Sequence, residues 1–500
     1  MKYIISVALI AAFLNFSFAK DALDMKQITY RPARAAGTFY PENPDSLRSM
    51  LKTLEDNSKP ARLNYNIQAL IVPHAGYIYS GTVAARAYKE LYGRNYDAVI
   101  IVGPSHFASF SGSSVFNGDA YITPLGNAMV DTALANDISS NKGIQLSLIG
   151  HNWRDSSAEH SVEVQIPFIQ TYLPNVKIIP IVMGTQDSKA ISDLTKAIVT
   201  SVKNSKKNIL LVASSDLSHY KSRTGARQID IPLAETISRY DYFKFMLNCF
   251  SDRYQACGYG PISVVMMAAE QLGANYNRVL NYATSADSPL IKTPNDRVVG
   301  YVSSALINAT GADSTKTFPA LPTISQENRD RLFEVAKKAI FSSAKNDSSQ
   351  QSPMIPRELA LDYASFVTIK KNGQLRGCMG HIFSTQSIVQ EIEETARMAA
   401  KSDPRFPALK ASELDSIKIE ISILSRFKRV MDYHEIEPGK DGVYIMSDGR
   451  SGLFLPQVAT EQGWNRKALL ENLGLKAGLS TDSYLAPNAE LYIFRTLVLE

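Results

Sequence analysis

Three histidines, an aspartate and a cysteine between residues 74 and 257 are of types that bind transition metals. His74 lies in Val-Pro-His-Ala-Gly-Tyr, His106 in Gly-Pro-Ser-His-Phe, and Asp216 and His219 in Ser-Ser-Asp-Leu-Ser-His. Cys257 precedes Gly-Tyr-Gly-Pro. Two imidazoles with a carboxylate are typical of non-haem iron sites, and an added thiolate favours copper(I) or zinc. We therefore predict a metal site formed by His74, His106, Asp216 and Cys257, with His219 moving protons.

The predicted strands should place these side chains close together. His74 follows the first predicted strand, His106 the second and Asp216 the fourth. Residues just past the carboxyl ends of parallel strands converge on one crevice of an α/β sheet. Continuous apolar strands are typical of a sheet covered by helices on both faces, so we predict an α/β domain. The predicted strands are Ala69–Val72, Ala98–Val102, Ile178–Val182, Ile209–Ala213 and Val298–Ile307, and the predicted helices include Thr82–Leu91 and Val162–Tyr172.

A second cluster, Glu159-His160-Ser-Val-Glu163, lies at the predicted start of the helix that ends at Tyr172. His160 is a candidate general base or extra ligand, and the alternative is that it belongs to a capped, charged helix start. We interpret the two glutamates as acidic side chains that stabilise the beginning of a helix.

The bulk composition excludes some classes of function. The chain has 500 residues, 45% of them hydrophobic and 20% charged, with a net charge of +5. That is ordinary globular composition, and the small net charge without a Lys/Arg run argues against a nucleic-acid partner.

The first 19 residues are typical of a secretory signal peptide. Lys2 precedes an almost wholly apolar run, and Ser17-Phe18-Ala19 provides small residues for cleavage. The alternative is a membrane anchor, but the apolar run is shorter than the roughly 20 residues that a spanning helix needs. We expect an exported protein, periplasmic or extracellular, whose mature chain does not span a membrane.

The three cysteines, Cys249, Cys257 and Cys378, are too few for a disulfide framework. At least one must stay unpaired, and metal ligation would shield a thiolate from oxidation. A disulfide between Cys249 and Cys257 is the open alternative.

Polar and Pro-containing sequence divides the chain in two. We predict an N-terminal domain over 28–310, a linker over 311–325 and a C-terminal domain over 326–500, with a further polar loop at 342–352. In the second domain, Asn372-Gly373 between two apolar runs predicts a tight hairpin, and Asp448-Gly449 predicts another turn. Helices predicted over Glu327–Phe341 and Thr385–Ala400 make this domain α+β.

The motifs of the first domain resemble the Memo family. The resemblance rests on Pro-His-Ala-Gly-Tyr at 73–77, Gly-Pro-Ser-His at 103–106, Glu-His-Ser-Val-Glu at 159–163, Ser-Ser-Asp-Leu-Ser-His at 214–219 and Cys-Gly at 257–258. It implies a three-layer LigB/Memo-like fold similar to the class III extradiol ring-cleaving dioxygenases. It also implies metal ligation by His74, His106 and Cys257, with Asp216 and His219 beside them. We expect the metal to be iron or copper.

The second domain resembles the AMMECR-type domain through Leu-Arg-Gly-Cys-Met-Gly at 375–380, Asp-Pro-Arg-Phe at 403–406 and Gly-Leu-Phe-Leu-Pro-Gln-Val at 452–458. The fusion resembles the AmmeMemoRadiSam set, which implies a radical SAM protein as an associated partner, although export would separate the two. Arg376, Cys378 and His381 could form a small polar site with Asp403 and Arg405. We favour a structural role, because Cys378 and His381 are too few for a closed metal site.

Three functions stay open at this level. The first is a metal-dependent oxidoreductase that activates oxygen, and the second is a metal-binding or redox-homeostasis module without turnover. The third is a module in which the same crevice recognises a peptide or a small-molecule acid without a metal. Its predicted lining residues are Tyr77, Tyr79, Phe107 and Tyr259.

Overall fold

The computed structural model describes residues 29–58, 63–151, 158–292, 296–310, 318, 321–345, 359, 362–384 and 386–500. The predicted signal peptide and the linker residues 311–317 lie outside the described residues. Within the described residues, no helix combines the length and the apolar character needed to cross a bilayer.

The N-terminal domain is built around one eight-stranded mixed sheet. The strands of the domain, within this sheet and in two smaller ones, are β1 (Tyr30–Arg31), β2 (Ile67–Val72), β3 (Ala98–Pro104), β4 (Ser113–Phe116), β5 (Ala120–Thr123), β6 (Gly126–Met129), β7 (Ile144–Ser147), β8 (Lys177–Met183), β9 (Ile209–Ser214), β10 (Lys221–Ser222), β11 (Tyr276–Thr284), β12 (Arg297–Val298) and β13 (Gly300–Ile307). Its helices are α1 (Pro44–Asp56), α2 (Tyr77–Tyr88), α3 (Thr132–Ser139), α4 (Ile166–Tyr172), α5 (Ser188–Ser205), α6 (Arg223–Ser238), α7 (Tyr242–Phe250) and α8 (Tyr259–Gln271).

The centre of the sheet is parallel and buried on both faces. The strand order is β11-β13-β2-β9-β3-β8-β4-β7, and β2, β9, β3 and β8 run parallel to one another. Every residue of β3 and β9 is buried, because helices such as α2 and α8 pack against the sheet. The predicted α/β class with a helix-flanked central sheet is confirmed.

Several predicted boundaries were wrong for local reasons. Helix α2 begins at Tyr77, five residues before the predicted start, where the backbone N–H of Tyr77 donates to the Phe39 carbonyl oxygen. The strand predicted from Val298 is interrupted, so that β12 and β13 pair with different strands. The helix predicted from Val162 begins with a 3-10 turn before α4.

The C-terminal domain is α+β, as predicted, with two antiparallel four-stranded sheets in the orders β15-β14-β16-β21 and β17-β20-β18-β19. Its strands are β14 (Ser365–Lys371), β15 (Gln374–Gly380), β16 (Ile417–Leu424), β17 (Lys428–Val430), β18 (Gly442–Ser447), β19 (Arg450–Phe454), β20 (Glu490–Phe494) and β21 (Thr496–Leu499). Its helices are α9 (Gln326–Lys345), α10 (Ile388–Lys401), α11 (Pro456–Glu461) and α12 (Arg466–Lys476).

Both predicted turns of this domain have the expected backbone. Asn372 and Gly373 have φ angles of 52° and 79°, and Asp448 and Gly449 have φ angles of 50° and 72°, as a two-residue hairpin turn requires. The polar loop predicted at 342–352 was wrong at its start, because α9 continues to Lys345. Residues 346–352 lie outside the described residues.

The two domains share an aromatic interface. The ring of Phe243 on α7 stacks on that of Phe427, with centroids 4.7 Å apart, and makes edge contacts with Tyr444 and Tyr492. These side chains are all buried. A buried aromatic cluster of this kind is typical of a permanent interface, because it removes much apolar area from water.

Candidate metal centre

Three neighbouring strands deliver the predicted ligands to one edge of the central sheet. His74 lies two residues beyond the end of β2, His106 two residues beyond β3, and Asp216 two residues beyond β9. Because β9 lies between β2 and β3 and all three run parallel, their carboxyl ends open into the same crevice. Cys257 reaches this crevice from the loop between α7 and α8.

His74, His106 and Cys257 form a compact group of potential ligands. One ligand atom from each lies within 4.8 Å of the others. Cys257 Sγ is 3.1 Å from His74 Nε2, and the two imidazole rings meet edge to face with centroids 5.1 Å apart. Two imidazoles and a thiol gathered in this way are ligands suited to a transition metal.

The hydrogen bonds around Ser214 fix the tautomer of His74. Ser214 Oγ donates its one hydrogen to the carbonyl oxygen of Ser161, and it accepts a hydrogen bond of 2.8 Å from Gln165 Nε2. The 2.9 Å contact between Ser214 Oγ and His74 Nδ1 must therefore be donated by Nδ1. The lone pair of His74 then lies on Nε2, which is the nitrogen that faces Cys257.

Gln165 is itself oriented by a further hydrogen bond. Tyr88 donates its hydroxyl hydrogen to Gln165 Oε1 over 3.0 Å, so the amide nitrogen is the end that points towards Ser214. Gln165 and Ser214 are buried. The tautomer of His74 therefore depends on the hydrogen-bonded side chains of Tyr88, Gln165 and Ser214. The sequence did not predict this role, although Ser214 is the first residue of the Ser-Ser-Asp-Leu-Ser-His motif.

Glu159 plays the corresponding part for His106. Its Oε1 lies 2.9 Å from His106 Nδ1, and its Oε2 accepts the backbone N–H of the same residue. Burial would raise the pKa of Glu159, but the hydrogen bond and charge of His106 lower it to about 2. With Nδ1 engaged by a carboxylate, Nε2 of His106 is left as the ligand atom.

His106, Glu159 and His160 also lie close enough to form a second ligand group. The carboxylate of Glu159 is nevertheless already saturated, because its Oε1 also accepts the backbone N–H groups of His160 and Ser161. A metal at this position would have to displace these hydrogen bonds. We therefore assign Glu159 to positioning of His106, a role that its interpretation as a helix-start charge alone did not include.

The same applies to Glu163, which is fully buried. It pairs with Arg31, accepts a hydrogen bond of 2.6 Å from the Tyr40 hydroxyl, and accepts the backbone N–H groups of Arg34 and Ala35. A buried carboxylate must be paired, and these donors join residues 31–40 to the 3-10 turn that precedes α4. The spacing of Glu159 and Glu163 carried no signal of these long-range partners.

His160 lies at the wall of the crevice between two rings. It stacks on Phe39 with centroids 4.2 Å apart and on His106 with centroids 4.6 Å apart. Its Nδ1 is 3.8 Å from Glu159 Oε1, beyond hydrogen-bonding range. Burial, followed by the charge of His74, lowers the pKa of His160 to about 3, so the ring is neutral near pH 7.

Asp216 contacts the backbone of the His74 loop. Its Oδ1 accepts the backbone N–H groups of His74 and Ala75 at 2.8 Å and 3.2 Å, and burial raises its pKa. Its own backbone N–H donates to Cys257 Sγ over 3.2 Å. Asp216 is not a member of either ligand group, so its role as a ligand stays a prediction. The proton-transfer role of His219, which lies beside Tyr220, also stays a prediction.

The cysteines settle one open alternative. All three, each within the described residues, are unpaired, so the expected alternative of a disulfide between Cys249 and Cys257 is not present in the structure. Cys249 is buried in the core, and burial raises its pKa. Burial, followed by the charge of Asp216, also raises the pKa of the Cys257 thiol.

The polar residues of the C-terminal motif make structural contacts. Arg376 donates two hydrogen bonds to the carboxylate of Glu413, at 3.1 Å and 3.0 Å. Asp403 Oδ2 accepts the backbone N–H of Cys378, and Arg405 Nη2 donates to the carbonyl oxygen of Cys378. Because β15 is an edge strand, these side chains satisfy backbone groups that would otherwise lie open.

Comparisons with known proteins agree with the two-domain division. Residues 31–305 match the family described as Memo-like protein, and residues 333–499 match the family AMMECR1. A MEMO1 family protein of Methanobrevibacter smithii is 36% identical over 287 residues, which cover 55% of this chain and 98% of the relative. Another, of Nitrosopumilus maritimus, is 35% identical over 53% of this chain and 95% of the relative.

Two crystal structures of proteins described as uncharacterized are also similar in part. PH0010 from Pyrococcus horikoshii is 30% identical over 35% of this chain and 92% of its own, with a TM-score of 0.34. JW3007 from Escherichia coli K12 is 14% identical over 48% of this chain and 100% of its own, with a TM-score of 0.33.

Proposed function

The chain belongs to the Memo family and carries an AMMECR1 domain behind its Memo domain, and from this premise we propose that the protein binds iron or copper through His74, His106 and Cys257. The observation that carries the proposal is the state of the two imidazoles. Each has Nδ1 engaged, by Ser214 in one case and by Glu159 in the other. Metal-binding histidines are typically oriented by such partners.

The donor set fits the proposed metals. Thiolate is a soft ligand that copper(I) prefers, and imidazole binds both copper and iron. Asp216, whose carboxylate is next to the group, would supply a harder oxygen if iron is bound. When bound, the metal would supply a Lewis-acid or redox centre at the crevice, while Ser214 and Glu159 hold the imidazoles in their binding orientation.

The experiment is anaerobic purification followed by elemental analysis of the wild type and of Cys257→Ser. We expect close to one iron or copper per chain in the wild type and a large loss in the variant. Cys378→Ser is the matched control, because Cys378 lies in the other domain. Equal metal content in all three proteins, or none in the wild type after reconstitution with either metal, would refute the proposal.

The second candidate function is oxygen-dependent oxidation of a small aromatic substrate at this centre. The specific observation that favours it is His160, a half-buried imidazole that stacks on His106 and is neutral near pH 7, so that its lone pair can accept a hydrogen bond from a substrate hydroxyl. Phe107 and Tyr220 are exposed side chains beside His106 and His219, and could contact an aromatic ligand. His219 would then be the group that moves protons, with His160 orienting the substrate.

Oxygen consumption with a panel of catechol-like substrates separates turnover from simple metal binding. Turnover that is lost in both His74→Ala and His160→Gln, with metal content kept in the second variant, would support the oxidoreductase. Tight metal binding without turnover would favour a role in metal sequestration and redox homeostasis. Unchanged thermal stability of metal-free protein on adding iron, copper or zinc would instead favour recognition of a peptide or small acid.

Export and partnership are proposals that rest on sequence alone. We propose that residues 1–19 are removed as a signal peptide and that the mature chain is periplasmic or extracellular. N-terminal sequencing of the protein recovered from fractionated cells tests this, and an intact N-terminus in the cytoplasmic fraction would refute it. A radical SAM partner is proposed from family association only, and cytoplasmic location would make that partnership more plausible.

A further inference from the structure

Cys257 is carried at the turn of a helical hairpin. Helix α7 ends at Phe250 and α8 begins at Tyr259, so the loop that contains Cys257 joins the two helices. At the opposite end of the hairpin, the hydroxyl of Tyr242 donates to Glu270 Oε2 over 2.8 Å. The two helices are thus antiparallel, with one end at the metal centre and the other end away from it.

The far end of this hairpin is bound by the C-terminal domain. The backbone N–H of Arg429 donates to the Tyr242 hydroxyl, and Gln271 Nε2 donates to the Arg429 carbonyl oxygen over 3.0 Å. Arg426 Nη2 donates to Glu270 Oε1 over 2.7 Å. Backbone and side chains of one short segment, 426–429, therefore hold both helices at once.

These contacts are buried, so breaking them should cost more free energy than breaking exposed contacts would. Arg426 and Glu270 have side chains that are 4% and 5% exposed. Removing one partner of a buried ion pair leaves an unpaired charge, which is strongly destabilising. Without the C-terminal domain, Glu270 would lose the Arg426 guanidinium and Tyr242 would lose the backbone N–H of Arg429. Phe243 would lose its aromatic neighbours. The far end of the hairpin is therefore complete only when the C-terminal domain is docked.

The near end is held by hydrogen bonds to other loops of the N-terminal domain. The backbone N–H of Cys257 donates to the Asp216 carbonyl oxygen over 3.2 Å, and that of Gly258 donates to Ser215 Oγ over 2.9 Å. Gln186 donates to the Cys257 carbonyl oxygen over 2.9 Å. The nine residues of α7 span about 13 Å at 1.5 Å per residue. Because α7 is so short, a displacement of its far end should move the loop that contains Cys257 by a similar distance.

We propose that the AMMECR1 domain is a permanent clamp on the α7–α8 hairpin and that it holds Cys257 in position for the metal centre. Tyr242 and Gln271 are then positioning residues that act on Cys257 through the hairpin. The part that concerns the metal rests on the proposed function. The part that concerns the position and opening of the Cys257 loop does not.

The experiment uses the metal-free full chain and compares three variants. Tyr242→Phe removes the hydroxyl that joins Glu270 to Arg429, and Gln271→Ala removes one hydrogen bond from a partly exposed side chain. Arg376→Gln is the control, because it breaks a charged pair with Glu413 inside the C-terminal domain, away from the hairpin. Alkylation of Cys257, mapped by peptide mass spectrometry, distinguishes this thiol from Cys249 and Cys378.

We expect alkylation of Cys257 to accelerate roughly five- to tenfold in Tyr242→Phe and by a smaller factor in Gln271→Ala, as the loss of buried hydrogen bonds predicts. Amide hydrogen exchange of the peptide over 251–258 should accelerate in parallel. The control should leave both rates within about twofold of the wild type even if it lowers thermal stability. Unchanged rates in both hairpin variants would overturn the proposal.

A copper(I) titration against a competing chelator adds the metal-dependent readout. Weaker copper(I) binding in Tyr242→Phe, with the control unchanged, extends the proposal to the metal centre. If the wild type binds no copper or iron, the proposed function fails, while the alkylation and exchange rates still decide whether the clamp exists. Faster alkylation without any change in copper(I) affinity would overturn only the part that concerns the metal.

Discussion

The carboxylate of Glu159 holds His106 at two points, since one oxygen lies 2.9 Å from the ring Nδ1 and the other accepts the backbone N–H of the same residue. Ring orientation and backbone position are thus fixed by one side chain. His106 follows β3, whereas Glu159 lies more than 50 residues later in the chain. The geometry of the proposed ligand therefore depends on a contact between distant segments.

The first prediction concerns Glu159→Gln. The substitution keeps the size of the side chain but removes the negative charge that supports His106 Nδ1–H. Loss of such an outer partner typically lowers metal affinity by roughly 10- to 100-fold, and we expect that range for copper(I) or iron(II) measured by competition with a chelator. Glu235→Gln on the exposed face of α6 is the control. Wild-type affinity in Glu159→Gln would contradict the assignment of Glu159 to positioning.

The second prediction concerns Ser214→Ala. The methyl group cannot accept hydrogen bonds from His74 Nδ1 and Gln165 Nε2, so His74 is free to place its proton on Nε2, the proposed ligand atom. We expect weaker metal binding together with a loss of about 1–3 kcal/mol in the free energy of unfolding, because buried polar groups lose their partner. Isothermal titration and urea unfolding measure the two effects. Destabilisation without any change in metal binding would show that Ser214 is structural only.

The sequence predicted the grouping of His74, His106 and Cys257, but it did not predict the side chains that hold the two histidines. His74, His106 and Cys257 lie at strand ends or in a Gly-containing loop, and that local rule was enough to bring them together. Glu159 and Ser214 are set by contacts across the sheet, for which a single sequence carries no periodic signal. The interpretation of Glu159 as a helix-start charge was reasonable locally, but its long-range contact with His106 outweighed it.

The same limit explains the second half of the chain. The hairpin at Asn372-Gly373 was predictable, because the two positive φ angles are a local requirement. The docking of Arg429 on Tyr242 was not, since it joins residues of different domains. Apolar patterning also missed the short strands β4 to β7, whose four residues each are too few to show a period.

The third prediction concerns Gly258, the residue after the proposed thiolate ligand. A Cβ at this position would lie 2.4 Å from the backbone oxygen of Ser214 and 2.9 Å from Ser215 Cβ. Backbone atoms cannot give way as a flexible side chain can, so Gly258→Ala should push the Cys257 loop away from the histidines. We expect metal binding to fall at least tenfold, as a misplaced ligand implies. The measurement is a chelator competition assay on the folded variant.

Gly76→Ala is the matched control for that prediction. Gly76 lies just before α2 in the loop of His74, and a Cβ there would meet nothing closer than 3.7 Å, which is ordinary contact. Metal binding should stay close to that of the wild type. If Gly258→Ala binds metal as well as Gly76→Ala does, the close approach of the Cys257 loop to β9 is not needed for the centre.

The fourth prediction concerns the dependence of stability on pH through His151, which received no functional role from its sequence. The residue is fully buried. The hydroxyl of Tyr121 lies 2.6 Å from its Nδ1, and its Nε2 lies 3.0 Å from the carbonyl oxygen of Ser114, which can only accept. Nε2 of His151 therefore carries a hydrogen. Burial, followed by the charge of Arg31, lowers its pKa from 6.5 to about 3.

The sign of the effect follows from which state binds the proton. Below about pH 6.5 the unfolded chain protonates His151 while the folded chain does not, so the contribution is complete above that pH and is lost as the pH falls towards 3. One such group removes up to about 1.4 kcal/mol of the free energy of unfolding per pH unit. His151→Gln, whose amide can replace both hydrogen bonds but does not titrate, should lose less stability between about pH 6 and pH 4 in urea unfolding, by roughly this slope. Parallel pH profiles for the two proteins would mean that His151 binds a proton equally well in the folded and unfolded states, and the lowered pKa would then be wrong.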